Sequence, residues 1–182
     1  MPEWEGYANF CSEYERGLRR DAFAILERFM FSLERATFAE RQSFVSWLCQ
    51  QVEGGQGRHM LVPHPLYIRI VEPTLLEWML IESECSEPHR WLGGEEHLRK
   101  AIELDPNDEL ARQKLIVFIL GRVGFNSHEL PAGYLGIAQD DLAALNEAEV
   151  LLQGLSNYDD RIELAAEIDE ERRLIQEHLD GR

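Results

Sequence analysis

LLEWMLIESECSEPHRWLGGEEHLRKAIELDPND, residues 75–108, decides what kind of fold this chain takes. Leu75, Leu76, Met79, Leu80 and Ile81 recur at spacings that set them on one helical stripe. Pro73 suits a first helical turn, where its missing N–H costs nothing, and Thr74 can also start the helix. Pro88 ends this half and turns Glu87 away from helical geometry. Leu98, Ala101 and Ile102 then mark a second helix, and Leu104-Asp105-Pro106-Asn107 stops it. The stretch reads as helix, short break, helix and proline stop.

Its 34 residues resemble a tetratricopeptide repeat, whose pattern is W-x2-L-G-x2-Y…A-x3-F…P. Anchored on Pro106, the chain sets Trp78, Ile81, Glu82, Cys85, Gly94, Leu98, Ala101 and Pro106 at the corresponding positions. Trp78, Ala101 and Pro106 agree outright, and Ile81 and Leu98 agree in kind. Glu82 stands where the family has glycine, and Cys85 where it has tyrosine. Frames shifted by 34 residues in either direction give no second copy: the earlier one brings Gln51, Met60 and His64, and the later one runs into a loop. A lone unit cannot bury its own apolar face, so helices of other kinds must stack on it. The resemblance implies an all-α fold of right-handed stacked hairpins, about six to eight helices, and a concave helical face that holds a peptide or a partner protein.

Length and composition agree with a folded, all-α chain. At 182 residues with 45% hydrophobic content, it can bury a sizeable core in one domain, 1–182. No apolar run reaches the ~18 residues of a membrane span, and the acidic, aromatic opening MPEWEGYANF is neither a signal nor a transit peptide. The expected compartment is the cytoplasm. Cys11, Cys49 and Cys85 are odd in number and set among apolar helix positions, which suits reduced, buried thiols, and the lack of any C-x-x-C pair excludes a Cys zinc site. The net charge is −16, unevenly spread. Residues 140–182 carry four Lys/Arg against thirteen Asp/Glu, while 109–139 carry three against two. Such a surface repels phosphate backbones and anionic lipids, so neither nucleic acid nor membrane is an expected ligand.

From the N-terminus, Tyr7, Phe10, Cys11, Tyr14 and Leu18 form a stripe that Ala22, Ile25, Leu26, Phe29 and Leu33 continue in phase. One long helix tolerating Gly17, or two helices with Asp21 capping the second, both fit. Thr37-Phe38-Ala39-Glu40 has capping-box spacing and opens a helix through Val52, ending at Gly54-Gly55. The N-terminal helices thus occupy 1–54. Residues 53–65 read as a flexible connection; its glycines lack the Lys-Ser/Thr and the preceding strand of a phosphate loop. LYIRIVE, 66–72, is β-branched but has no partner strand, so a helical turn entering Pro73 is expected.

The C-terminal helices, 109–182, begin with Leu110, Leu115, Ile116, Phe118, Ile119 and Leu120, apolar nearly all round, which predicts the most buried element. A long loop follows over 121–139 with four glycines and one proline. Asp140 opens the next helix, with Leu142, Leu145, Ala148, Leu152 and Leu155 inward. Leu164, Ile168, Ile175 and Leu179 line the last, whose Asp169–Arg173 face reads as a salt-bridged outer surface.

The six histidines give neither H-E-x-x-H nor an i, i+4 pair, so no metal and no cofactor is expected. Glu95-Glu96 and Asp140-Asp141 open helices, where the macrodipole favours them without any catalytic role. No G-x-S-x-G elbow occurs. The leading expectation is a non-catalytic protein-interaction module. An acidic, immunity-type neutraliser of a basic toxin or enzyme is one alternative, and an enzyme built on the 121–139 loop with His128, Glu129 and Tyr134 is another. Within that loop Phe125, His128 and Tyr134 are the candidate binding residues, with Gly133 and Gly136 letting backbone approach closely.

Overall fold

The computed structural model describes residues 4–53 and 62–181, and every regular element among them is helical. The chain divides into two compact units, Met1–Glu84 and Cys85–Arg182. The division falls inside 75–108. That segment holds three helical pieces rather than two, because Pro88 opens a short helix instead of ending one. Proline at a first turn forfeits no hydrogen bond, which makes either role available to it.

The first unit contains α1 (Glu5–Glu15), α2 (Arg19–Glu34), α3 (Phe38–Glu53), α4 (His64–Leu66), a π-helical stretch (Tyr67–Val71) and α5 (Glu72–Ile81). Gly17 resolves the open choice at the N-terminus. Its φ of 81° is left-handed, and the Leu18 and Gly17 amides donate to the Glu13 and Tyr14 carbonyls, the bonding of a Schellman stop. Asp21 sits in the first turn of α2, whose N-cap is Leu18. The capping box forms: the Thr37 amide donates to Glu40 Oε2 at 2.8 Å, and the Glu40 amide to Thr37 Oγ1 at 3.4 Å. The Thr37 hydroxyl, donating to Glu40 Oε2 at 2.7 Å, and then the Thr37 amide hold the Glu40 carboxyl below its usual range.

Phe44 is fully buried and meets Trp4, Tyr7 and Phe29 edge-on at 5.1, 5.6 and 5.0 Å. Gly6 permits this closeness, since a Cβ there would lie 2.9 Å from the Phe29 ring. LYIRIVE is helical as expected, but wider than α: the Glu72 amide donates to the Tyr67 carbonyl, five residues back. Pro73 has no N–H to continue the ladder, and such a bulge spreads the resulting gap. Thr74 Oγ1 donates to the Ile70 carbonyl at 2.6 Å. On α5 the expected stripe is displaced. Leu75 and Trp78 are buried, whereas Leu76, Leu80 and Ile81 are exposed, because α3 and the π-helical stretch cover only one side of α5. The expected connection 53–65 lies mostly at 54–61, outside the described residues.

The second unit contains α6 (Glu87–Leu92), α7 (Glu95–Leu104), α8 (Glu109–Ser127), α9 (Ala138–Leu152) and α10 (Tyr158–Leu179). α6 packs on α7 and α7 on α8, while α8, α9 and α10 pack on one another. Their shared core includes Leu98, Leu115, Ile119, Leu145, Ala148, Ile168 and Ile175. Pro106 ends α7 as read, and Asp108 caps α8 by accepting from the Ala111 amide at 2.9 Å. The other carboxylate oxygen of Asp108 receives Arg90 Nη1 at 2.6 Å, which ties α6 to the start of α8.

Three expectations shift here. α8 runs on to Ser127, so the 121–139 loop shrinks to the residues between Ser127 and Ala138. Val123 and Ser127 continue the buried face of Ile116 and Leu120, and that burial outweighs the ~1 kcal/mol per residue that Gly121 and Gly124 cost a helix. α8 is also not buried all round, since Leu110, Val117, Phe118 and Phe125 remain exposed. Leu179 on α10 is exposed too, while Leu164, Ile168 and Ile175 are buried as read. None of the three cysteines is in a disulfide; Cys11 is buried, and Cys49 and Cys85 are half-buried.

Candidate functional site

The exposed side of α8 and the loop that leaves it form the candidate site. Successive helical residues turn by about 100°. Leu110, Lys114, Val117, Phe118, Gly121 and Phe125 therefore fall within one stripe about 100° wide, while Leu115, Ile116, Ile119 and Val123 point into the core. Val117 is 54% exposed and Phe125 65%. At about 1.5 Å per residue the stripe runs about 22 Å from Leu110 to Phe125. Leu135, also exposed, donates its amide to the Asn126 carbonyl at 2.9 Å, which places an apolar loop residue next to Phe125.

The three residues expected to bind something are treated differently by the fold. Phe125 and His128 are brought together: their rings stack at 5.2 Å, and the His128 ring bonds the Phe125 carbonyl. His128 Nε2 lies 3.1 Å from Glu129 Oε1, both side chains exposed. Tyr134 instead turns in. Its hydroxyl donates to Asp141 Oδ2 at 2.7 Å, and its ring stacks on His178 at 5.5 Å. Burial first, then the bond to Asp141, drives the Tyr134 phenol far above its ordinary value, so it keeps its proton. Gly136 fits beneath, where a Cβ would meet Asn126 and Asp141; Gly133 has open space.

Asp141 is more than a carboxylate favoured by a helix start. It is buried and also accepts Asn126 Nδ2 at 2.8 Å. Arg122 Nε lies 3.8 Å from it, and Arg122 Nη1 reaches Glu95 Oε2 at 2.7 Å. Glu95 also receives Arg99 at 2.8 Å, and Arg99 in turn pairs with Glu147. Arg99 first, then Arg122, lowers the Glu95 carboxyl. Ser127 Oγ donates to Glu171 Oε2 at 2.7 Å. These bonds fasten the loop and α8 to α9 and α10. Beside Tyr134, a pocket is lined by Leu130, Pro131, Leu174, Glu177, His178 and Gly181.

Among the described residues, no group of three His, Cys, Asp or Glu is arranged to hold a metal ion, and no helix is long and apolar enough to cross a membrane. His89 and His97 do meet, Nδ1 to Nδ1 at 3.1 Å, joining α6 to α7. Leu110, Val117 and Phe118 were missed as surface residues because their neighbours are core. The signal was present, since a 19-residue helix apolar nearly all round exceeds what two or three neighbouring helices can cover. No family model, no curated protein and no solved structure matches the chain.

Proposed function

We propose that this chain is a non-catalytic protein–protein interaction module, and that α8 supplies the helical face that binds. The observation that carries the reading is that Leu110, Val117, Phe118 and Phe125 are all exposed on one side of α8, with the exposed Leu135 next to Phe125. Contiguous exposed apolar surface on a folded domain is the mark of a surface that another molecule covers, and a helical stripe suits a helix or groove of a protein partner. The likeness of residues 75–108 to a tetratricopeptide repeat adds support, since that family binds peptides on helical faces.

A photo-crosslinking residue at Val117, compared with one at the exposed Arg161 of α10, tests this in cells. A protein adduct specific to Val117 and abolished by Phe118→Glu is expected. Equal adducts at both positions, or none that depends on Phe118, would overturn it. The alternative of an acidic neutraliser draws on the thirteen Asp/Glu of residues 140–182. It requires a basic partner whose association slows as salt rises.

A further inference from the structure

We propose that the partner seated on the α8 stripe is a second copy of this chain, in an antiparallel helix pair. The inference rests on α8 being the binding face and adds the identity of what covers it.

Charge is the first argument. A chain of net charge −16 repels its own copies over most of its length. The stripe lies in residues 109–139, where three Lys/Arg meet two Asp/Glu. A basic partner would be drawn to the acidic stretches, whereas another acidic copy can approach closely only where the charge lapses.

The second argument is that the stripe is self-complementary, which a twofold interface demands. Let the twofold axis stand level with the Val117–Phe118 peptide, with the two helices antiparallel. Val117 and Phe118 of both copies then gather at the centre. On either side, Lys114 of one copy comes level with Gly121 of the other, where the missing side chain lets the two backbones approach. At each end Leu110 of one copy comes level with Phe125 of the other.

Gly121 supplies the third. Gly124 abuts Glu171 and Gly136 abuts Asn126 and Asp141, but a Cβ on Gly121 would meet nothing within 4 Å. Its φ is not left-handed, so nothing within the chain calls for glycine at this helical position. Glycine there weakens the helix relative to alanine, and the close approach of a second backbone accounts for it. A strip about 22 Å long on a helix roughly 10 Å across covers roughly 220 Å², less than the ~800 Å² per partner of a standard interface, so the exposed Leu135 and Ile137 beside it join the contact.

Sedimentation equilibrium of the full purified chain tests this. The wild type is expected to be a dimer at micromolar concentration, and more so as salt rises, because salt screens like charges. Gly121→Arg sets a guanidinium against Lys114 of the other copy. It should weaken dimerisation by about 100-fold while far-ultraviolet circular dichroism stays that of the folded helical chain, since a Cβ at this position meets nothing within 4 Å in its own chain. Adding Lys114→Glu should restore the dimer by pairing Glu with Arg across the seam. Should Gly121→Arg fail to fold, Val117→Glu gives the same loss at the centre. A monomeric wild type, a Gly121→Arg chain that dimerises as before, or a double variant that stays monomeric would each overturn the proposal. A monomeric wild type whose Val117 crosslinker still captures a different protein would leave the interaction reading standing and remove the second copy.

Discussion

Tyr134 and His128 were read together as one site, and the structure separates them by what each touches. Tyr134 supplies a hydrogen bond to the buried Asp141, so Tyr134→Phe should cost about 1–2 kcal/mol, the penalty of an acceptor left short of a partner. His128→Ala should change stability by less than about 0.5 kcal/mol, as exposed substitutions do. Urea denaturation measures both, and equal losses would show that His128 is also structural. Trp78 and Leu80 make a similar contrast on α5. Trp78 is buried and donates Nε1–H to Glu82 at 3.0 Å, and Trp78→Ala should cost about 3–5 kcal/mol. Leu80, 85% exposed, should tolerate alanine within about 0.5 kcal/mol. The stripe at 75–81 could not make this distinction, because six apolar residues in seven leave the helix no polar side to mark its outside.

At the scale of elements, local chemistry was legible and coverage was not. Gly17, the Thr37–Glu40 box and Pro106 act within a turn of themselves, so their roles follow from identity and spacing. Where α8 ends depended instead on Val123 and Ser127 finding α9 and α10 to pack on. The exposed stripe depended on which neighbours were absent, and no local pattern carries that. The α6–α7 pair adds a pH response. Burial first, then His97 and Lys100, holds His89 below its ordinary value of 6.5. As pH falls through about 6.5 the unfolded chain takes up a proton that folded His89 refuses, so stability must drop until the folded value is passed. Melting temperature should therefore decline between about pH 7 and pH 5, and His89→Gln should flatten the slope. A slope unchanged by the substitution would place the response elsewhere.

For the whole molecule, the all-α class followed from helical periodicity and from the absence of paired strand patterns. The division into two units did not, because the junction lies inside the stretch that most resembles one continuous motif. Glu82, Ser83 and Glu84, at that junction, are exposed and outside any helix. A protease that cuts after glutamate should therefore cleave at Glu82 or Glu84 before it attacks the many glutamates held in helices. Mass spectrometry of the earliest fragments checks this, and first cuts within α3 or α10 would contradict it.

Each unit is also one uninterrupted length of chain, the first complete at Glu84 and the second beginning at Cys85. Synthesis proceeds from the N-terminus at about 5–20 residues per second. The helices of the first unit, with Phe44 and Trp78 on them, are therefore made while α8 is still being assembled. The apolar stripe of α8 emerges only after the first unit has been made, with α9 and α10 still to follow, at the moment when a nascent neighbour on the same message would be close at hand.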